Sequence, residues 1–224
     1  MEEVRDIIKE IKQSFRLMMD GAVAQSMRDK GLNYHLNWGA TLPRLQAKAQ
    51  EIKDSLTAHR SPLTSSLFPL PSSLSKLAIE LWKENVRECK ILASMLMPPD
   101  EVLPEVVDIW QEQIPSQEIA EQLAFNLYQH LPFAAEKAYQ WIASDKEYDQ
   151  LCGFHVLSRL FMNGQEPNER GINEYLDQAL CALQGPYPSV RKAAMLSLQR
   201  FAELGLLYER LAKSATKSID LDIF

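Results

Sequence analysis

One pair of acidic residues has a spacing that suggests acid–base chemistry. In a helix, Glu118 and Glu121 would lie on the same face, where two carboxylates can serve together as an acid and a base. Acidic side chains in the first turn of a helix also interact favourably with the helix dipole. We therefore interpret the pair as a solvated helix start, and Glu121 remains a candidate catalytic carboxylate.

Metal-binding and nucleophilic motifs are not evident among the usual residue types. The four histidines and three cysteines do not have the spacing of a metal site, and neither a glycine-rich phosphate loop nor a Gly-x-Ser-x-Gly elbow occurs. No cofactor and no metal are expected. The cysteines fall at apolar positions of predicted helices, so we interpret all of them as buried packing residues: Cys89, Cys152 and Cys181.

Basic and acidic residues are unevenly distributed along the chain. Residues 100–149 contain eleven acidic residues and two lysines, a net charge of −9, which would repel a DNA backbone. Residues 187–217 contain six basic and two acidic residues, a net charge of +4. These six form a candidate phosphate-binding patch, or simply a solvated helix face with a basic C-terminal helix: Arg191, Lys192, Arg200, Arg210, Lys213 and Lys217.

The composition is that of a folded globular protein. The chain has 224 residues, 46% hydrophobic and 24% charged, which excludes a disordered chain or a collagen-like fibre. A net charge of −6 argues against a protein whose main work is gripping phosphates. The N-terminus lacks the apolar stretch of a signal peptide, and no apolar run is long enough to span a membrane. We expect a cytoplasmic location.

Apolar residues recur with the spacing of helices throughout the sequence. In residues 4–19 the apolar positions follow i, i+3, i+4, i+7 spacing, and Pro43 suits the first turn of a helix that begins after Thr41. The predicted helices cover 4–19, 41–58, 76–97 with a break near Lys83, 99–113, 116–131, 133–143, 146–162, 168–183 and 188–204. We predict an N-terminal helical segment (1–60), a Pro/Ser-rich loop (61–75), a helical stack (76–212) and a tail (213–224), together one continuous domain.

Four of these predicted helices carry a small residue among larger apolar ones. The small residues are separated by 31, 29 and 41 positions, which is within the range of helical-repeat proteins. Small side chains let neighbouring helices approach closely, and they are Ala93, Ala124, Gly153 and Ala194. The fold class predicted from this pattern is an all-α, right-handed α-α superhelix of HEAT-like helical repeats. The alternative is an ordinary helical bundle.

Four segments in order resemble the DNA alkylation repair family, the AlkD-like HEAT-repeat DNA glycosylases. The similarity extends over roughly residues 20–205. The segments are NWGATLPRLQAKAQEI (37–52), LWKENVRECKILASML (81–96), WIASDKEYDQLCGFHVLSRL (141–160) and VRKAAMLSLQRFAEL (190–204). The resemblance implies excision of alkylated purines from duplex DNA held in a concave face, supported by an Asp, an Arg and tryptophans.

Several residues that this resemblance implies are replaced here. Gln117 stands in the position of a Trp, and Glu121 in that of the important Asp. No Arg occurs among residues 149–152, where the family has one. Leu196 replaces a second Trp and Gln199 a further Arg. The resemblance therefore implies a family member that has lost key glycosylase residues.

We accordingly predict a divergent family member that acts as a scaffold with a concave binding face and binds DNA weakly. The candidate DNA contacts are Lys90, Arg191, Lys192, Arg200 and Trp38. The other three tryptophans are interpreted as wedges between helices. Two alternatives remain, an active glycosylase that uses Glu121 as its carboxylate and a protein–protein adaptor.

The last five residues, DLDIF, resemble the short peptide by which bacterial repair and replication proteins bind the sliding clamp. In that interpretation Leu221, Ile223 and Phe224 would insert into a pocket as apolar anchors. The alternative is a tail that packs on its own domain or is disordered.

Overall fold

The computed structural model describes residues 2–58 and 72–217. These residues form twelve α-helices and two short 3-10 turns, so the prediction of an all-α fold is confirmed. The helices are α1 (Glu2–Leu17), α2 (Gly21–Asp29), α3 (Leu42–Ala58), α4 (Ser73–Lys83), α5 (Arg87–Leu96), α6 (Pro104–Glu112), α7 (Gln117–Asn126), α8 (Ala134–Ile142), α9 (Glu147–Met162), α10 (Glu169–Gln184), α11 (Pro188–Ala202) and α12 (Leu206–Lys217).

Two compact units make up the chain, unit 1 (Met1–Pro115) and unit 2 (Ser116–Phe224). The four-part division predicted from composition stays a prediction. Most of its Pro/Ser-rich loop lies outside the described residues. The end of that loop is helical, because the Ser72 side chain caps the N-terminus of α4 by accepting a hydrogen bond from the Ser75 backbone N–H at 3.2 Å.

Other helix ends differ from the sequence-based prediction for local reasons. Helix α2 was not predicted; its N-terminus is capped by the Asp20 carboxylate, which accepts from the Ala22 and Val23 N–H groups. The helix predicted from residue 99 begins at Pro104, which is suited to a first helical position. The helix predicted over 116–131 ends at Asn126 and is followed by a 3-10 turn.

Unit 2 depends on close packing between its helices. A Cβ atom on Gly153 of α9 would lie 2.7 Å from Ile142 Cγ2 and 2.9 Å from the Ala138 carbonyl oxygen, so only glycine allows α9 to approach α8 this closely. Ala124 and Ala194 are fully buried in α7 and α11. The predicted role of these small residues is confirmed in this unit.

Aromatic side chains fill the rest of the unit 2 interior. The rings of Phe161, Tyr175 and Phe201 join α9, α10 and α11, with centroids 5.0 to 5.5 Å apart. The Tyr175 hydroxyl is buried and lies 3.0 Å from the Ser197 hydroxyl, which satisfies its hydrogen-bonding need. One expectation was wrong: Cys181 is exposed, because it lies on the solvent side of α10, whereas Cys89 and Cys152 are buried.

In unit 1 a buried ion pair fixes the turn that precedes α3. Arg87 and Glu88, at the start of α5, are 1% and 0% exposed, and their charged groups are 3.2 Å apart. Glu88 Oε1 accepts hydrogen bonds from the backbone N–H groups of Trp38 (3.1 Å) and Ala40 (3.3 Å). Arg87 donates to the Ala40 carbonyl oxygen at 2.8 Å. The buried side chains at the start of α5 therefore bind backbone groups of residues that lie far away in the sequence.

The same turn is held from its other side by the chain before α2. The Asp20 backbone N–H donates to the Trp38 carbonyl at 3.0 Å. Gly39 has a φ of +73°, and a Cβ atom there would lie 2.1 Å from the Asp20 carbonyl oxygen. No side chain fits in that space, so the turn requires glycine both for its conformation and for its contacts.

Gly39→Ala is expected to destabilise the protein by more than about 3 kcal/mol, because it adds a backbone collision to the left-handed conformation. Gly31→Ala is the matched control, since Gly31 also has a positive φ of +84° but open space at its Cβ position. The control should cost only about 1 kcal/mol. Urea unfolding of both variants measures the difference, and equal losses would contradict this account of the turn.

Candidate nucleic-acid interface

Three side chains from two helices of unit 2 are in contact at one place, and a lysine of a third helix acts on them electrostatically. The rings of Phe125 (α7) and His155 (α9) make an edge-to-face contact at 4.9 Å, and the Arg159 guanidinium lies 4.8 Å from the centre of the Phe125 ring. Lys192 (α11) is exposed and close enough for its charge to act on His155. We call these four residues the inner-helix cluster.

The electrostatics of the inner-helix cluster keep its histidine neutral. Burial, together with the positive charges of Arg159 and Lys192, lowers the pKa of His155 to about 4. The His155 Nδ1 atom is buried and has no hydrogen-bond partner in the described part of the chain. At neutral pH the positive charge of the cluster therefore resides on Arg159 and Lys192.

Acidic residues are confined to the first turn of α9 and are missing from α11, the two helices that carry these cations. After Asp149 no acidic residue occurs in the rest of α9, and α11 has none over its whole length. The exposed side of α11 continues from Lys192 with two partly exposed apolar residues, Met195 and Leu196, each 39% exposed. The arrangement offers cations and apolar surface without a nearby carboxylate on α11, which suits an anionic ligand.

The sequence pointed to Lys192 but not to its neighbours in the cluster. Phe125, His155 and Arg159 were missed because each is unremarkable by itself. A usable signal existed in the sequence, since His155 and Arg159 are one helical turn apart in a stretch free of acidic residues.

Two of the predicted DNA contacts in α11 have partners within the protein. Arg191 is half-buried and donates to the Gly185 carbonyl at 2.7 Å, where it satisfies the C-terminal end of α10. Arg200 forms an exposed ion pair with Glu203 at 2.6 Å. Neither arginine belongs to the inner-helix cluster. Of the three DNA contacts predicted in α11, the cluster includes Lys192 alone.

Lys90 lies in the interior of unit 1. Its ammonium group donates to the Trp82 carbonyl at 2.9 Å and lies 4.2 Å from the centre of the Trp82 ring. Burial lowers its pKa. Trp82 stacks on Trp110 at 4.5 Å, as expected of a wedge between helices. Lys90 therefore stabilises this aromatic stack and does not present its charge at the surface.

Trp38 lies in unit 1 and is half-buried at the turn described above. It borders a groove beside α1 and α4. Glu121 lies on α7, one turn before Phe125, and accepts a hydrogen bond from the Gln117 side chain at 2.8 Å. The structure thus places Trp38 and Glu121 in different units.

The described ranges contain neither a cluster of metal ligands nor a membrane-spanning helix. No group of three or more His, Cys, Asp or Glu residues there is arranged to hold a metal ion. No described helix combines the length and the apolar character that crossing a membrane requires. The predicted clamp-binding residues Leu221, Ile223 and Phe224 lie outside the described residues, and that prediction and the cytoplasmic location stay predictions.

His155 is expected to make stability depend on pH. Its folded pKa is below the unfolded value of about 6.5, so the folded state resists protonation and stability falls as the pH drops through the interval from about 6.5 to about 4. Between pH 7.5 and pH 5 the wild type should lose about 2 kcal/mol more than His155→Gln does. Urea unfolding at both pH values measures this, and identical losses would refute the assignment.

Comparison with known proteins agrees with this fold. A search among curated proteins gave no significant match. One solved structure superimposes with a TM-score of 0.73 at 16% identity, over 93% of this chain and 81% of the other. It is described as a new family of proteins related to the HEAT-like repeat DNA glycosylases with affinity for branched DNA structures. The predicted HEAT-like fold is confirmed.

The family model described as DNA alkylation repair enzyme matches residues 11–202, which include the Trp38 turn and the whole inner-helix cluster. The match covers most of the chain and confirms the family predicted from the sequence. This protein therefore belongs to the DNA alkylation repair family.

Proposed function

We propose that this protein binds branched DNA through the inner-helix cluster and leaves its bases in place. The observation that carries the proposal is the pair of cations, Arg159 and Lys192, on two neighbouring helices beside a neutral His155. Lysine and arginine contacts to phosphates supply most of the sequence-independent affinity for DNA.

The charge distribution of unit 2 supports a small contact rather than a long one. The acid-free parts of α9 and α11 place no carboxylate of these helices beside the two cations. Within this unit, residues 116–149 contain six acidic residues and two lysines, a net charge of −4, which opposes an extension of the DNA backbone over that segment. Binding by few phosphate contacts is expected to be weak, with a salt dependence set by those few contacts.

We propose branched DNA as the ligand because the description of the structural relative names affinity for branched DNA structures. A DNA branch brings several strands close together, so a compact set of cations can reach phosphates of more than one strand. Along a simple duplex the same cluster would meet fewer phosphates. This difference favours a junction over a duplex for a protein with a small cationic surface.

The surroundings of Glu121 support a protein without glycosylase activity. Its carboxylate is hydrogen-bonded to Gln117, which stands in the position of a family Trp. Leu196 occupies the position of the other Trp and is exposed on α11, where an indole would be available for stacking. A carboxylate without its aromatic and arginine partners has little means of holding a nucleotide in the geometry that bond cleavage needs.

The double variant Arg159→Gln/Lys192→Gln is expected to bind a four-way DNA junction about ten-fold more weakly than the wild type. Its salt dependence should also fall, by about two in the slope of log K against log salt, since two phosphate contacts are lost. Fluorescence anisotropy with a labelled junction measures both quantities. Arg170→Gln/Lys137→Gln serves as the control, because it removes the same charge from α10 and α8, outside the inner-helix cluster. Equal loss in both variants would contradict a contact localised at the cluster, and no salt-sensitive DNA binding by the wild type would favour the adaptor alternative.

The wild type is expected to release no methylated purine from alkylated duplex DNA above the uncatalysed rate. Chromatography of the freed bases under single-turnover conditions measures this directly. Glu121→Gln should bind a junction as the wild type does. Base release by the wild type that is abolished in Glu121→Gln would instead establish the glycosylase alternative.

A further inference from the structure

Unit 1 contains a groove of about 660 Å³ between α1, α4 and the Trp38 turn. Its polar lining comes mainly from α1, and its apolar lining from Ile8 of α1 and from the chain on either side of residue 37. The lining includes Ile8, Gln13, Leu36 and Trp38 together with the charged residues of both helices. The groove belongs to one unit and shares no residue with the inner-helix cluster.

The wall that α1 contributes carries a row of four cations. Arg5, Lys9, Lys12 and Arg16 are separated by four, three and four positions, so they form a stripe along one face of the helix. Neighbouring cations are about one helical turn apart, about 5.4 Å along the axis. We call these four residues the α1 stripe.

Carboxylates on the opposite wall neutralise only part of the stripe. Glu84, the residue after α4, pairs with Lys12 at 2.8 Å, and Glu80 of α4 pairs with Lys83 of its own helix at 2.5 Å. The other three cations of the α1 stripe form no ion pair with the described residues. The groove therefore has excess positive charge along its length.

Trp38 provides an aromatic surface at a fixed position in this groove. Its backbone is held by Glu88 from one side and by Asp20 from the other. The indole Nε1 is buried without an acceptor in the described chain, although the side chain is only half-buried. The exposed part of the Trp38 side chain is therefore ring carbon and not the N–H donor. Such a surface is suited to stacking.

We propose that the groove binds an unpaired DNA strand, with its phosphates along the α1 stripe and one base stacked on Trp38. A positively charged groove combined with an aromatic side chain is the chemistry of single-strand binding, because it follows the backbone and accepts any base. Paired bases within a duplex are not available for such stacking. This inference rests on the proposed DNA-binding function and adds that an unpaired strand at a branch is part of what is bound.

The first experiment tests the contact between Trp38 and a base. A labelled oligo(dT) and the same sugar–phosphate chain with abasic sites are compared by anisotropy on the full-length protein. The wild type should prefer oligo(dT) by about ten-fold, and Trp38→Leu should lose this preference. Trp38→Phe retains an aromatic ring and should keep most of it, which separates lost stacking from misfolding. No preference in the wild type, or equal preference in Trp38→Leu, overturns the proposal.

The second experiment tests the stripe. Lys9→Gln/Arg16→Gln should weaken oligo(dT) binding about ten-fold and lower its salt slope. Arg28→Gln/Lys30→Gln is the matched control, because it removes the same charge from exposed positions in the same unit outside the groove. Unlabelled oligo(dT) should displace the probe far better than poly-glutamate of equal charge. Equal competition by poly-glutamate would identify a site for acidic peptides and overturn the inference.

The two proposals can fail separately. A protein whose junction binding depends on Arg159 and Lys192, but which does not bind oligo(dT), would overturn the groove and leave the proposed function intact. A protein that binds oligo(dT) through Trp38 and the α1 stripe, with junction binding insensitive to the inner-helix cluster, would support the groove and contradict the proposed function.

Discussion

The buried pair of Arg87 and Glu88 is the interaction on which the arrangement of unit 1 depends. Removing two charges from water costs several kcal/mol per ion, and the cost is recovered only when each charge is well hydrogen-bonded. Here the partners are backbone groups of the Trp38 turn, almost fifty residues earlier in the chain. The charges at the start of α5 therefore specify the path of the chain before α3, and with it the position of Trp38 beside α1.

In the described part of unit 2 the helices are held in place by close packing, without a buried ion pair like that of unit 1. Its helices approach one another because Gly153 and two alanines leave room for their neighbours, and aromatic rings fill the remaining space. Such close-packed interiors fix side chains as firmly as hydrogen bonds do. The consequence is that the charges of Arg159 and Lys192, from neighbouring helices, both act on a histidine that the same packing has buried. A stack of helices thus turns residues distant in sequence into one cationic surface.

The two surfaces have complementary chemistry for one class of ligand. The inner-helix cluster offers charge with little stacking surface, which suits phosphates of paired strands. The groove beside α1 offers charge together with an aromatic ring, which suits an unpaired strand.

The sequence by itself determined the helical class, the family and most helix positions. These follow from local signals: apolar spacing, Pro and Gly at the breaks, and small residues at the contacts between helices. It also named Trp38 and Lys192 as candidate DNA contacts, and these stay predictions. It could not separate Lys192 from Arg191 or reveal that Lys90 is buried, because the face that a helical side chain presents depends on the helices packed against it. Only the tertiary structure decided that His155 is neutral, that Arg159 stands beside it and that the α1 stripe faces Trp38. Charge and burial at each of these positions are set by neighbours distant in the chain, and no local pattern encodes them.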